Sequence, residues 1–169
     1  TEIFAEAFGC TVHRPDDNSP FALPRVYGAA EASRLRVPDL DVPCLRLAFS
    51  IADELRARGR PEAVLHMVDI QSPMDIAAPI WEKADFFVAM IESPEAVREL
   101  AAKVESLLTA FLDEWFRRYG PDFVSHFPDY YMPEGLTLSE DEIGAVSPEI
   151  FDALFAPELA SLSERYGGI

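Results

Sequence analysis

The strongest constraint on this chain is the way its helices begin. Ser72-Pro73, Ser93-Pro94 and Ser147-Pro148 each stand at the head of an apolar-periodic stretch. Proline holds φ near its helical value and has no N–H to leave unpaired, so it suits the first turn, while the serine before it can cap the open amides. Each pair therefore marks where a helix starts. The pair at 93–94 opens the longest, with Val97, Leu100, Val104, Leu107, Leu108, Phe111, Trp115 and Phe116 along it, and Gly120-Pro121 stops it. The pair at 147–148 predicts a helix reaching about residue 166. Leu45, Ala48, Phe49, Ala52 and Leu55 recur at helical spacing and predict one more, closed by Gly59 after a basic last turn.

Between these helices lie short apolar runs. Residues 63–70, with Val64, Val68 and Ile70, read as a strand covered on both faces. Residues 122–127 (DFVSHF) read as the next strand, residues 10–13 as a short one, and the final GGI as the start of another. Residues 1–8 look like the tail of a helix that Gly9 ends. Strands alternating with helices of this size imply right-handed crossovers and a parallel sheet. About three such units fit here, whereas a closed eight-unit barrel typically takes ~250 residues. The expected fold is α/β: a single domain over 1–169 forming part of a (β/α)8 TIM-type barrel, incomplete in this chain. A small doubly wound sheet is the alternative. Residues 14–44 carry Pro15, Pro20, Pro24, Pro38 and Pro43 and are expected to form a long irregular excursion. A half barrel would leave strand edges unpaired and invite association.

Charge narrows the partners. With 14 basic against 30 acidic residues, the formal net charge of −16 opposes binding to nucleic acid or an anionic membrane. The one dense basic run, LRARGR at 55–60, sits at a helix end, where cations complement the dipole. No apolar run approaches the ~20 residues of a membrane span. The opening TEIFAEAFG has neither a basic leader nor a signal-like apolar core. Cys10 and Cys44 have no metal-ligand spacing and are expected to be reduced, mostly buried thiols. A soluble cytoplasmic protein is the reading these features support. A Gly-rich phosphate loop and a nucleophile elbow are both missing from the sequence, which disfavours a dinucleotide enzyme.

The candidate site residues cluster where strands end. In LHMVDIQSPMDIAAPIWE (65–82), Ser72, Pro73 and Asp75 fit a helix start with an acid in its first turn. Asp69 and Gln71 are not needed for that. A carboxylate at the end of a buried strand is costly unless paired, solvated or open to a cleft, so Asp69 is equally a structural or a substrate-facing residue. His126 ends the following strand beside Ser125, Asp129, Tyr130 and Tyr131. It is either a satisfied structural histidine or a group that titrates or binds near neutrality. Tyr130 and Tyr131 either stack on a flat ligand or cover a barrel mouth. Glu140, Asp141 and Glu142 read first as a solvated acidic run. His66 and His13 carry no pattern, and without HxH or HExxH no self-contained metal site is expected.

The order of several segments has a further implication. DIQSPMDIAAPIW, a helix ending in DFF, ESPEAVRELAAKV and SPEIFDALFAPELASLSERYGGI, preceded by FAEAFGCTV, together resemble the uroporphyrinogen decarboxylase superfamily. It contains porphyrinogen decarboxylases and corrinoid- or coenzyme-M-dependent methyltransferases. The resemblance covers most of the chain and implies a (β/α)8 barrel with its site at the carboxyl ends of the strands. Two departures stand out. Aligning Pro73 with the decarboxylase turn places Pro79 where a catalytic tyrosine would be, and Asp141 falls on a serine of the decarboxylase site. Acidic residues at the second position are common in the methyltransferase branch. The resemblance puts the decarboxylases' essential aspartate and arginines before Thr1, and their site histidine and the methyltransferases' zinc-binding His-x-Cys after Ile169. It therefore implies a methyltransferase-like enzyme acting on a small methylated or tetrapyrrole- or corrinoid-linked substrate. Asp69, Gln71, His126, Asp141 and Tyr130 would be substrate-binding, and zinc and a corrinoid protein would come from outside this chain. Porphyrinogen decarboxylation is the alternative. A non-catalytic segment used for binding or assembly, with a homo-oligomer as one form, is a second.

Overall fold

The computed structural model describes residues 2–60, 62–126 and 129–168. Helix α1 (Ile3–Ala7) leads into an antiparallel pair, β1 (Thr11–His13) with β2 (Phe21–Leu23). Then come α2 (Ala29–Arg34), α3 (Pro43–Arg58), α4 (Pro73–Ile80), α5 (Lys83–Glu92) and α6 (Pro94–Tyr119). A second antiparallel pair, β3 (Phe123–Ser125) with β4 (Tyr130–Met132), follows. The chain continues through a 3₁₀ turn, Glu142–Ala145, to a last helical rod. That rod consists of α7 (Pro148–Ile150), a π turn (Phe151–Phe155) and α8 (Ala156–Tyr166).

Helix α6 is the spine. One face buries Val97, Leu100, Val104, Leu107, Leu108, Phe111, Leu112 and Trp115 against α1, α2, α4, α5 and α8. Each such side chain contributes about 1.5–3 kcal/mol on leaving water. Aromatic rings fill the middle: Phe111 meets Phe4 edge-on at 5.3 Å, Phe49 at 4.9 Å and Trp115 at 6.0 Å. Gly9, at φ +91°, ends α1. A Cβ there would stand 1.8 Å from Nη1 of Arg25, which donates to the Phe8 carbonyl at 2.7 Å, so the position needs glycine for both backbone and room.

The last rod owes its π turn to Pro157. Proline has no N–H for the carbonyl four residues back. That carbonyl, on Ala153, accepts from Arg98 Nε at 3.4 Å.

The Ser-Pro helices start where the sequence places them, but the helix expected to end in DFF does not: α4 stops at Ile80, Trp81 is extended, and α5, capped by Glu82, carries DFF in its middle and runs on to Glu92. Ser72 and Ser147 cap with their side chains, accepting from the amides of Asp75 and Ile150. Ser93 does not; its carbonyl accepts from Ala96 N–H at 3.0 Å and Val97 N–H at 3.4 Å.

The strands differ more. Residues 63–70 do not form the continuous strand expected. They run extended, joined to neighbours by isolated parallel bridges, His66 to Val124 and Gln71 to Ser139. Leu65, Met67 and Ile70 are buried while His66 is exposed, so the run is covered on one face only. Among the described residues the named sheets are both antiparallel, because partners a few residues apart close cheaply, whereas parallel partners must return across a long connection. The parallel joins remain as isolated bridges of two main-chain bonds each: Met67 N–H to Val124 O at 3.0 Å with Val124 N–H to Leu65 O at 2.9 Å, and Ser139 N–H to Ile70 O at 3.0 Å with Ser72 N–H to Ser139 O at 2.9 Å. The expected strand 122–127 shortens to β3, with Phe127 outside the described residues. Of the final GGI, Ile169 lies outside them, and Gly168 accepts from Leu136 N–H at 3.0 Å. Residues 14–44 are not wholly irregular, since the proline-free stretch between Pro24 and Pro38 makes α2 and a parallel bridge from Val26 to Trp81.

Candidate functional site

The extended run 65–72 delivers its polar end between two other elements, the N-terminus of α4 and the segment 136–146. The joint is stitched in both directions. Ser72 N–H donates to Ser139 O at 2.9 Å. The Ser72 hydroxyl accepts from Asp75 N–H at 3.1 Å and donates to Glu140 in a very short contact. The Ser139 hydroxyl donates to Asp75 Oδ2 at 3.2 Å, and Glu142 N–H donates to Glu140 Oε1 at 3.2 Å. Lys83, at the start of α5, closes the cluster by donating to Glu142 Oε1 at 2.8 Å.

Burial sets the charge state of these acids. Asp75 is pushed up to about 6, first by desolvation and then by the neighbouring charges of Asp141 and Glu142, against hydrogen bonds from Ser139 and the Asp141 main chain. Glu140 rises to about 7 by the same desolvation, with Asp75 and Glu142 adding and the Ser72 hydroxyl opposing. Lys83 is pushed upward by its bond to Glu142. Near neutrality the cluster therefore retains protons that exposed carboxyls would have lost.

Beside this joint lies a cleft of about 340 Å³ lined by Gln71, Asp75, Pro79, Lys83, Asp141 and Glu142, with Glu2 at its border. A second cleft, of about 460 Å³, is lined by Asp69, His126, Arg14, Val12 and Ser19, again with Glu2. Burial raises the Glu2 carboxyl, and the charge of Asp69 adds to the effect.

The candidate residues thus divide. Gln71 and Asp141 come together in the smaller cleft, and Asp69 and His126 in the larger. Tyr130 is 57% exposed on β4 and lines neither; its carbonyl accepts from the Ser125 hydroxyl at 3.2 Å. His13 packs on Phe21 at 5.1 Å between ring centres. Cys10 is buried, with its thiol pushed up to about 11 by desolvation, and Cys44 is half-buried.

A family model for uroporphyrinogen decarboxylase (URO-D) matches residues 2–167. The chain belongs to the uroporphyrinogen decarboxylase family. No curated protein matches the sequence. Among solved structures, a methyltransferase from Methanosarcina mazei superposes on this URO-D chain with a TM-score of 0.70 at 13% identity, covering 99% of this chain and 47% of that one. The likeness is one of fold, and this chain spans about half the length of that methyltransferase.

In this URO-D chain the acidic run 140–142 is not the solvated strip its composition suggests. Glu142 is 6% exposed and Glu140 half-buried, while Asp141 faces out at the cleft rim. Asp75 had been accounted for as a helix-start residue, yet its carboxyl is buried in the joint. Lys83 carried no signal at all, because its partner lies 59 residues further along the chain. Glu158 was also missed: it is buried against Glu105 and Glu140 with its carboxyl pushed up to about 8.

Proposed function

We propose that this chain is part of a URO-D-type (β/α)8 barrel enzyme of the methyltransferase-like branch, acting on a small methylated or corrinoid-linked substrate. The observation that carries the reading is that Pro79 and Asp141 line the same cleft. These are the two positions where the family resemblance leads one to look for the decarboxylases' tyrosine and serine. A proline supplies no hydroxyl to donate or accept a proton, and a carboxylate in place of a serine hydroxyl changes both charge and hydrogen bonding. Decarboxylation by those two groups is therefore not supported. The name of the structurally similar methyltransferase agrees with the branch.

At about 340 Å³ the cleft suits a small molecule, near the lower end of ligand pockets. A corrinoid carried by a partner protein would supply or accept the methyl group there. Gln71 and Asp141 would orient the polar part of the substrate, with Asp75 as a neighbour able to hold or give a proton near neutrality. Asp69 and His126 would serve the adjoining cleft. Zinc does not fit the groups present: among the described residues no three of His, Cys, Asp and Glu gather as metal ligands. No step is assigned to it.

Titration of the chain with methylcobalamin, followed by absorbance, tests the reading. Asp141→Asn is expected to weaken binding about tenfold, equivalent to about 1.4 kcal/mol. Release of carbon dioxide from uroporphyrinogen, with no corrinoid binding, would move the assignment to the decarboxylase branch. Neither binding nor turnover would favour a segment used for assembly.

A further inference from the structure

The smaller cleft is charged almost wholly in one sense. Glu2, Asp75, Glu82, Asp141 and Glu142 line it against one cation, Lys83, which is already bound to Glu142 at 2.8 Å. Glu82 is also engaged, its carboxylate accepting from the Asp85 N–H at 2.9 Å as the cap of α5. Asp141 is exposed at the rim, and its charge reaches Asp75 and raises that carboxyl. An anion entering here meets like charge on every side but one.

Trp81 makes a second, separate demand. It belongs to the same wall, is 1% exposed, and its indole N–H finds no acceptor among the described residues. Buried donors are nearly always paired, so an orphan in a cleft wall calls for an acceptor that arrives with a ligand. Trp115 also lacks an acceptor, but it is packed among the aromatic rings around Phe111 and lines neither cleft. The carboxylates ask for positive charge and the indole for an oxygen. A plain cation would leave the N–H unpaired, and a plain anion would be repelled.

We propose that this cleft takes a small zwitterion, a methylated ammonium compound carrying a carboxylate, with its cationic centre against Asp75 and Asp141 and its oxygens on the Trp81 N–H. The inference rests on the reading of this cleft as the substrate site and adds the charge pattern of the substrate. Methyl groups on the nitrogen suit the apolar part of the lining at Ala22, Ala78 and Pro79. Asp75 makes the binding depend on pH. Burial holds its carboxyl up at about 6, with Asp141 and Glu142 adding and the Ser139 hydroxyl opposing. A cation beside it favours the ionised form, so binding at lower pH expels a proton and affinity rises as pH climbs through about 6. Glu140, held up at about 7 by burial with Asp75 adding, ionises next and extends the same trend, while Lys83 stays charged throughout.

Calorimetric titration of the full chain with three related probes tests it. Glycine betaine carries both charges, 3,3-dimethylbutyrate has carbon in place of the nitrogen, and tetramethylammonium is the cation alone. Betaine is expected to bind about tenfold more tightly than either. Asp141→Asn should weaken betaine and tetramethylammonium alike, each by about fivefold or more. Trp81→Phe keeps a ring and removes the N–H. It should weaken betaine about tenfold and leave tetramethylammonium unchanged, which also shows that the variant has folded. Betaine affinity should rise about tenfold from about pH 5 to about pH 7 and then level off. Dimethylbutyrate bound as tightly as betaine, or betaine binding untouched by both substitutions, would overturn the proposal. A flat pH profile would overturn the placement against Asp75. Methylcobalamin bound by a chain that ignores betaine would leave the corrinoid reading standing and sink this one, and betaine bound by a chain that ignores methylcobalamin would do the reverse.

Discussion

Ser72 acts on two elements at once. Its hydroxyl caps α4 through the Asp75 amide and also donates to Glu140 across the joint. Ser147 caps at 3.4 Å on an exposed helix start, and its other partner, the Glu149 carboxylate, lies in that same first turn. Ser72→Ala is therefore expected to cost about 1–2 kcal/mol in urea unfolding and Ser147→Ala about 0.5 kcal/mol, although the two sequences Ser-Pro look alike. Glu158 presents a different case. Its Oε2 has no hydrogen-bond partner among the described residues, and desolvation, with Glu105 and Glu140 adding, lifts the carboxyl to about 8. A carboxyl raised in the folded state contributes stability in full below its ordinary value near 4.5, and that stability disappears as pH rises through about 8. Glu158→Gln should leave stability little changed below pH ~4.5 and gain progressively above it, by about 2 kcal/mol at pH ~8, read from denaturant midpoints in paired buffers. The two serine caps were legible in the sequence, but the buried acids were not, because three consecutive acids at 140–142 and a lone glutamate on a helix give no sign of which carboxyl turns inward. The direction is set by where the joined segment sits, which is a tertiary fact.

Among elements, the helices were the readable part. Apolar spacing near 3.6 residues and proline at the first turn are local signals, and α3, α4, α6 and the rod ending at Tyr166 follow them. The extended run 63–70 was readable as apolar but not as joined by isolated bridges alone, since a strand is defined by neighbours that sequence does not display. The segment 136–146 is the element whose behaviour should depend most on pH. Two raised carboxyls, Asp75 at about 6 and Glu140 at about 7, hold it to α4 through Ser139 and Ser72, with Asp141 and Glu142 adding negative charge nearby and Lys83 as the cation bound to Glu142. Ionising both as pH rises through 6–7 sets their charges against Asp141, Glu142 and one another, with the one lysine to offset them. Hydrogen exchange at the Ser139 amide, corrected for its intrinsic pH dependence, should show protection falling across that window. The Asp75→Asn, Glu140→Gln double variant should show a flat profile, and an identical fall in both proteins would refute the linkage.

At the scale of the molecule, one core organises everything around α6. Phe111→Ala would remove the ring that touches Phe4, Phe49 and Trp115, and should cost about 3–5 kcal/mol and lower the thermal midpoint. A loss under ~1 kcal/mol would show that the surroundings collapse into the gap. No helix among the described residues is long and apolar enough to cross a membrane. The parallel contacts that join residues 65–72 to the rest are single bridges, too short for a ladder of main-chain bonds to dictate alignment. The paired serines supply what the ladder does not. Sliding 138–140 by one residue against 70–72 would take Ser139 away from Asp75 and Glu140 away from Ser72 in the same movement. It would strand two buried acids and turn each side chain to the opposite face. The stitch at Ser72 and Ser139 thus works as a proofreading step for strand alignment, rejecting the nearest misfolded neighbour of the native chain before any ligand is present.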